Sequence, residues 1–418
     1  MHEDEHEHLF AEPARDFVHP VARRAAMRFV PLPMLTSWDE LLGMLAGRPR
    51  ENGDAAIRET AEYLLSVFQR AGIEADSFTY MAHPYRLRIA GIVILLGTLF
   101  YAWCMRVRRA RLALATAVAL PVILLANLDY YVPIFGWIGR VQQPHIEARI
   151  GPSQPVQQLV LSAHFDSKTD LLDHVERAPI DYLGLPVILL LLAAAVLELR
   201  RRGAGAPSGP ARWSVPVAAL YGLVSFAALT GGAFVPSRSH GALDDGAACA
   251  TLVRVAERLA AAPAPLQRTA VRILLLSGEE AGVHGSWEYV RARFAPPPLP
   301  TRVINMEFFG ASADLAVFKS ERFSLRSYPA DPDLLALVDR VHRARRGKPI
   351  HVTWYGAATD ARSFLAHGVP ALTLLSDLPG HALARHMHSD YDRRDKIDPR
   401  ALDETVEFLL QVVAEADA

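Results

Sequence analysis

The chain has 418 residues and a formal net charge of -1, so its overall charge gives no reason to expect nucleic acid or another polyanion as a partner. Its two cysteines, Cys104 and Cys249, have no neighbour at metal-ligand or redox spacing, and we expect neither a disulfide nor thiolate chemistry. Hydrophobic residues make up 51% of the chain, which is the apolar edge of what soluble domains show.

The amino-terminal part of the chain is polar. Its first 86 residues contain no apolar run that could serve as a signal segment. They begin with an acidic stretch that includes His2, His6 and His8; these could gather a metal ion, but the composition is more typical of a solvated terminus. Apolar residues at helical spacing predict helices at 38–44 and 55–72, and an extended segment begins within 76–80.

The hydrophobic excess lies in four runs that are nearly free of charge: residues 89–105, 112–128, 182–197 and 213–235. Each run approaches or reaches the roughly 17 to 25 residues that a helix needs to cross a bilayer. Arginine-rich loops join the runs in pairs, so we predict two transmembrane helical hairpins and a lipid bilayer as partner; buried core helices are the alternative.

The basic loops also predict a membrane side. Arginine-rich short loops tend to stay in the cytoplasm, which places the remainder of the chain on the non-cytoplasmic side of a bacterial inner or plasma membrane. Because no apolar leader precedes the hairpins, two alternatives stay open: the recorded start lacks an upstream anchor, or the remainder of the chain is cytoplasmic.

Outside the hairpins, strand-like and helix-like segments alternate. This alternation predicts an α/β fold with a mostly parallel, helix-covered sheet. The predicted strands are 157–163, 270–277, 301–306 and 371–375, and the predicted helices after them or between them are 247–261, 285–293, 331–345, 360–367 and 401–414. The predicted organisation is a domain made of 1–86, 139–177 and 237–418, interrupted by hairpin one at 87–138 and hairpin two at 178–236.

Histidine and carboxylate residues follow the predicted strands. His164 and Asp166 follow the first strand, Glu279 and Glu280 the second, and Glu307 the third. Active sites of such sheets form beyond the carboxyl ends of the strands. Buried carboxylates without partners are costly, whereas a divalent cation neutralises several at once, so the pattern indicates a metal site. Segments 241–246 and 386–392 add further acidic and histidine residues.

Taken together and in this order, these motifs resemble the two-zinc aminopeptidases of metallopeptidase family twenty-eight. The resemblance implies that His164, Asp244 and Glu307 bind one zinc and that Asp244, Glu280 and His388 bind the other, with Asp244 bridging. It also implies that Glu279 is the general base and that Asp166 orients His164. Segments 359–372 and 388–398 are similar to the closing pattern of the family.

Two positions depart from the usual pattern of that family. Glu307 stands where most members have Asp, as in the integral-membrane relatives of the endoplasmic reticulum and vacuole. Asp245 stands where Asn is usual, which leaves two candidates for the bridging residue; the family pattern favours Asp244. Of the other histidines, His386 could compete with His388 as a ligand, while His240, His284, His351, His367 and His381 are expected to be structural or surface residues.

The resemblance implies a membrane-anchored zinc metallopeptidase that hydrolyses the amino-terminal peptide bond of peptides through a water that bridges the metals. Two alternatives keep the fold and change the reaction, to glutaminyl cyclisation or carboxypeptidase activity. A third alternative is a catalytically inactive membrane scaffold. Nothing in the sequence specifies the oligomeric state.

Overall fold

The computed structural model describes most of the chain from residue 36 onwards. The residues that it describes are 36–418 apart from 129–131, 133, 136, 202–207, 263, 295–296, 324–325, 355, 379–384 and 386. The histidines at positions 2, 6, 8, 381 and 386 therefore lie outside the described residues.

Helices and strands alternate along most of the described chain. The helices are α1 Trp38–Leu45, α2 Ala55–Arg70, α3 Arg86–Arg106, α4 Ala110–Leu128, α5 His174–Arg200, α6 Gly209–Thr230, α7 Ala247–Ala260, α8 His284–Arg293, α9 Pro332–Arg346, α10 Ala361–Ala366 and α11 Pro399–Asp417. The strands are β1 Glu74–Ala82, β2 Val141–Ile150, β3 Gln157–His164, β4 Thr269–Leu276, β5 Thr301–Met306, β6 Leu315–Val317, β7 Ser320–Phe323, β8 Arg326–Pro329, β9 His351–Val352 and β10 Ala371–Ser376.

One sheet of eight strands forms the centre of the described structure, in the order β1, β2, β4, β3, β5, β10, β6, β9. The four neighbours β4, β3, β5 and β10 are parallel, whereas β1, β2 and β6 pair antiparallel towards the edges. Residues on the two faces of these strands are buried in separate clusters, as expected when helices cover both faces. This arrangement confirms the predicted mostly parallel, helix-covered sheet.

Strand β2 was not among the predicted strands. It carries polar residues and Pro144, so it lacks the apolar run that revealed the central strands. Pro144 is tolerated because the β2–β4 ladder begins only at Ile146, and a missing N–H before that point breaks no bond to β4. The buried side chain of Glu147 instead accepts hydrogen bonds from Tyr289 and Arg149.

The four apolar runs form helices α3, α4, α5 and α6, which pack together as one bundle. Its small core includes Cys104, Ala113 and Ala218, and the Tyr101 hydroxyl donates to the Leu191 carbonyl at 2.8 Å. Large apolar side chains point outward along all four helices, among them Leu96, Val122, Leu185 and Leu220. All four helices are long and apolar enough to cross a membrane. Such an outer surface is typical of lipid-facing helices.

Both hairpins join the sheet domain at the carboxyl ends of its central strands. At the base of hairpin one, the Arg86 side chain donates to the carbonyls of Asn127 and Gly282. At the base of hairpin two, Gly232 packs so tightly against Thr169 that a Cβ there would lie 1.9 Å from the Thr169 carbonyl oxygen. The hairpin bases therefore lie beside the loops that follow β3 and β4.

Candidate metal centre

The candidate ligands come from adjacent parallel strands. His164 is the last residue of β3, and Glu307 directly follows β5. Glu280 follows β4 after a turn at Gly278, whose φ of 82° and closeness to the Tyr80 hydroxyl leave no space for a side chain. Because β4, β3 and β5 are neighbours in the sheet, these side chains meet at one edge.

The side chains form two buried groups of three. In one group, ligand atoms of His164, Asp245 and Glu307 lie within 4.8 Å of one another. In the other, ligand atoms of Asp244, Glu280 and His388 do so. In the second group, the Nε2 atom of His388 lies 2.8 Å from a carboxylate oxygen of Glu280. The structure thus brings together all of the residues that the sequence pointed to as ligands.

Asp244 faces both groups at once. Its Oδ1 atom lies 3.1 Å from Nε2 of His164, and its Oδ2 atom lies 3.3 Å from Nε2 of His388. One carboxylate that offers one oxygen to each side has the geometry of a bridging ligand. Asp245, rather than the expected Asp244, completes the first group, with a ligand atom within 4.8 Å of those of His164 and Glu307.

Arg50 fixes the loop that presents Asp244. Its guanidinium is fully buried and donates to the carbonyls of Phe165 at 2.6 Å, His240 at 2.6 Å and Gly241 at 3.0 Å. It therefore ties the residue after His164 to the loop before Asp244. Because these acceptors are all backbone atoms, the role of Arg50 is to hold the geometry of the backbone.

Asp166 connects the two strand ends. Its Oδ1 atom lies 3.5 Å from Nδ1 of His164, and its carboxylate accepts from the backbone N–H groups of Glu279 and Glu280 at 3.3 and 3.0 Å. Asn52 donates to the same carboxylate at 2.6 Å. Asp166 is therefore placed to orient His164 and, through the same oxygens, the loop of the two glutamates.

Glu279 belongs to neither group of three and keeps part of its surface exposed. Burial of its carboxylate and the charge of nearby Glu307 raise its pKa well above the usual value. A carboxylate beside the candidate ligands, with a raised pKa and access to solvent, can accept and return a proton.

The carboxyl-terminal part of the chain matches a known protein family. Residues 224–413 match the model of peptidase family M28, and this stretch includes Asp244, Glu280, Glu307 and His388. Over these residues the chain is similar to peptidase family M28. No curated protein matches the chain.

Solved structures similar to this chain include peptidases and glutaminyl cyclases. The aminopeptidase from Aneurinibacillus sp. strain AM-1 is 12% identical, with 90% of this chain and 92% of that chain covered and a TM-score of 0.52. Porphyromonas gingivalis glutaminyl cyclase is 15% identical, with 92% and 100% covered and a TM-score of 0.52. A Zn-dependent exopeptidase from Parabacteroides distasonis is 15% identical, with 89% and 94% covered and a TM-score of 0.50. At these identities the likeness concerns the fold alone.

The donor set of the candidate metal centre fits zinc. It offers imidazole and carboxylate ligands without a thiolate, which suits zinc. The charges also call for cations: burial raises the pKa of Glu307 to about 8, while Glu307 and Asp166 raise the pKa of His164 well above its usual value although burial opposes this. Acids and bases that are both shifted towards their protonated forms indicate excess negative charge, which metal ions would neutralise. The family match and the donor set together support a zinc-dependent peptidase.

Two further buried carboxylates beside the candidate metal centre were not assigned a role from the sequence. Asp360, at the start of α10, has no hydrogen-bond partner of normal geometry for either oxygen among the described residues, and burial raises its pKa to about 6. Asp170 accepts from Nδ1 of His388 at 2.7 Å. Asp360 lies within segment 359–372, so that segment was the available signal. Asp170 lies in a loop between β3 and hairpin two, where no pattern marked it.

Proposed function

We propose that this chain is a membrane-anchored aminopeptidase that binds two zinc ions, one between His164, Asp244 and Glu307 and one between Asp244, Glu280 and His388. The observation that carries the proposal is the position of Asp244: one of its carboxylate oxygens faces His164, and the other faces His388. A pair of zinc ions held there would lower the pKa of a shared water and polarise the scissile carbonyl.

The residues of the chain supply the proton transfers. Glu279 is free of both groups, so it can take the proton of the attacking water and pass it to the leaving amine. Asp166 keeps the Nδ1 side of His164 occupied, which leaves Nε2 for the metal. Because Asp166 also accepts from the backbone of Glu279 and Glu280, it fixes both glutamates relative to His164.

The reaction can be tested with matched substrates. We expect the purified full-length protein in detergent to release the first residue from aminoacyl amides and from peptides with a free amino terminus. The same peptides with an acetylated amino terminus should stay intact, because an aminopeptidase recognises the free amine. A zinc chelator should abolish the activity, and added Zn²⁺ should restore it.

Other outcomes of the same assay identify the alternatives. Loss of ammonia from an amino-terminal glutamine without peptide cleavage would show glutaminyl cyclisation. Release of the last residue from blocked peptides would show a carboxypeptidase. A folded protein that binds no zinc and turns over none of the substrates would support an inactive scaffold. Each of these results contradicts the proposed aminopeptidase.

We also propose that the bilayer holds helices α3 to α6 and that the peptidase domain lies on the non-cytoplasmic side. The support is the outward-facing apolar surface of the bundle and the basic loop 105–111, together with Arg200 and Arg212 at the facing ends of α5 and α6. In a bacterial host, alkaline phosphatase fused after Ala418 should be active and green fluorescent protein fused there should be dark. Fluorescence with an inactive phosphatase would place the domain in the cytoplasm.

A further inference from the structure

Asp170 contacts His388 at two points. The Nδ1 atom of His388 donates to Oδ2 of Asp170 at 2.7 Å, and the backbone N–H of Asp170 donates to the carbonyl of His388 at 3.0 Å. Both residues are buried. With Nδ1 held in this way, Nε2 of His388 points at Glu280 and Asp244, which lie 2.8 and 3.3 Å away. Asp170 therefore sets the ring orientation that the second group of three requires.

Two cations hold the carboxylate of Asp170. Nζ of Lys168 lies 2.9 Å and Nη1 of Arg177 lies 3.0 Å from the same Oδ2 atom that His388 contacts. The Arg177 guanidinium also donates to Nε2 of His174 at 2.7 Å, and the His174 ring lies 4.6 Å from the His388 ring. His388 is thus enclosed by residues on the loop after β3 and in the first turn of α5.

In the structure, hairpin two consists of α5 and α6 and so begins at His174, before the predicted bound at 178; part of this network lies in the first turn of α5. His174 and Arg177 are the first and fourth residues of α5, which is one of the four helices apolar enough to span a membrane. A capping box between Asp173 and Glu176 fixes the start of this helix. Gly232, just beyond α6, packs against the Thr169 carbonyl. Both ends of hairpin two therefore contact the short loop that carries Asp170.

The two candidate metal groups differ in this respect. Asp166, which lies behind His164, is held by the neutral donors Asn52 and the backbone N–H groups of the glutamate loop. Asp170, which lies behind His388, is held by two cations, one of them on a membrane helix. Only the second group depends on hairpin two through such side-chain contacts among the described residues.

We propose that hairpin two contributes to the metal centre through Arg177. Together with Lys168, Arg177 holds Asp170, which is the positioning residue of His388. The affinity of the Asp244, Glu280 and His388 group for zinc depends on these two cations. The inference rests on the proposed two-zinc function. Loss of an outer partner of a histidine ligand commonly lowers metal affinity about 10-fold to 100-fold. Without Arg177, Asp170 loses a charged donor and no longer holds the His388 ring in one orientation.

Zinc binding tests this inference directly. The full-length protein in detergent is stripped of metal and titrated with Zn²⁺ against a chromophoric chelator, which resolves the two binding steps. We expect Asp170→Asn and Arg177→Gln to weaken one step about 10-fold to 100-fold and to leave the other unchanged. Lys168→Gln should weaken the same step, and Arg177→Lys should recover most of the affinity because it restores the charge.

Controls identify the affected site and exclude misfolding. Arg200→Gln changes an exposed arginine at the other end of α5 and should bind zinc as the wild type does. His388→Ala should abolish the step that Arg177→Gln weakens, and adding Arg177→Gln to it should change nothing further. The melting temperature of each metal-free variant shows whether it is folded. If Arg177→Gln does not fold, Lys168→Gln tests the same contact.

The outcomes separate this inference from the proposed function. Normal binding of both zinc ions by folded Arg177→Gln and Asp170→Asn would overturn the role of hairpin two and leave the two-zinc site intact. Equal weakening of both steps would also overturn it, since the effect would not be specific to His388. A wild-type protein that binds no zinc would overturn the proposed metal centre itself, and this inference with it.

Discussion

Replacement of Glu279 by Gln is expected to lower turnover about 10²-fold to 10⁴-fold while both zinc ions remain bound. Glutamine preserves the size of the side chain but cannot take a proton from water. Glu279 lies in neither group of candidate ligands, so its loss removes no metal contact. The experiment is a measurement of kcat on an aminoacyl amide beside the zinc content of the same preparation.

The neighbouring residue provides the matched comparison. Glu280→Ala should also abolish turnover, but it should do so by losing one zinc, because Glu280 lies 2.8 Å from His388 and its other oxygen is buried without a partner among the described residues. Glu279 would then control the rate of the reaction, and Glu280 would control the binding of one zinc ion. Equal zinc loss in both variants, or full activity in Glu279→Gln, would contradict the division of roles between a base and a ligand.

The closeness of the residues at the strand ends could be predicted from the geometry of a parallel sheet. In a parallel sheet, side chains that follow neighbouring buried strands must meet at one edge, and the apolar runs of β3, β4 and β5 are visible in the sequence. His164, Glu280 and Glu307 could therefore be placed together without knowing any loop conformation. The position of Asp244 between His164 and His388 could not be placed in this way, because it depends on the loop that Arg50 holds.

The contacts behind the ligands were beyond sequence reasoning. Asp170 and His388 are 218 positions apart in the sequence, and both ends of hairpin two contact the loop that carries Asp170. The apolar run at 182–197 predicted a membrane helix, but α5 begins at His174, eight residues before that run. His174 and Arg177 in its first turn belong to the network around His388, and polar residues at a helix start carry no periodic signal.

Asp244→Asn is expected to weaken the binding of both zinc ions. Asp245→Asn should retain both zinc ions and most of the activity. The two neighbours differ in charge: although burial opposes it, hydrogen bonds with His164 and His388 lower the pKa of Asp244, while burial and Glu307 raise the pKa of Asp245 well above its usual value. The lowered pKa favours the anionic form of Asp244, which faces both histidines, whereas the raised pKa favours the protonated form of Asp245. A neutral asparagine can replace the second but not the first.

The position of Asp245 explains why the asparagine should be tolerated. Its Oδ2 atom accepts from the backbone N–H of His164 at 3.4 Å, and the amide oxygen of asparagine can accept the same bond. Zinc titration of both variants beside kcat provides the measurement, and the melting temperature shows whether each variant is folded. Loss of one zinc in Asp245→Asn, with both retained in Asp244→Asn, would reverse the assignment and make Asp245 a ligand of the His164 and Glu307 site. In that case no carboxylate would bridge the two metal ions, and the shared water would be their only common ligand.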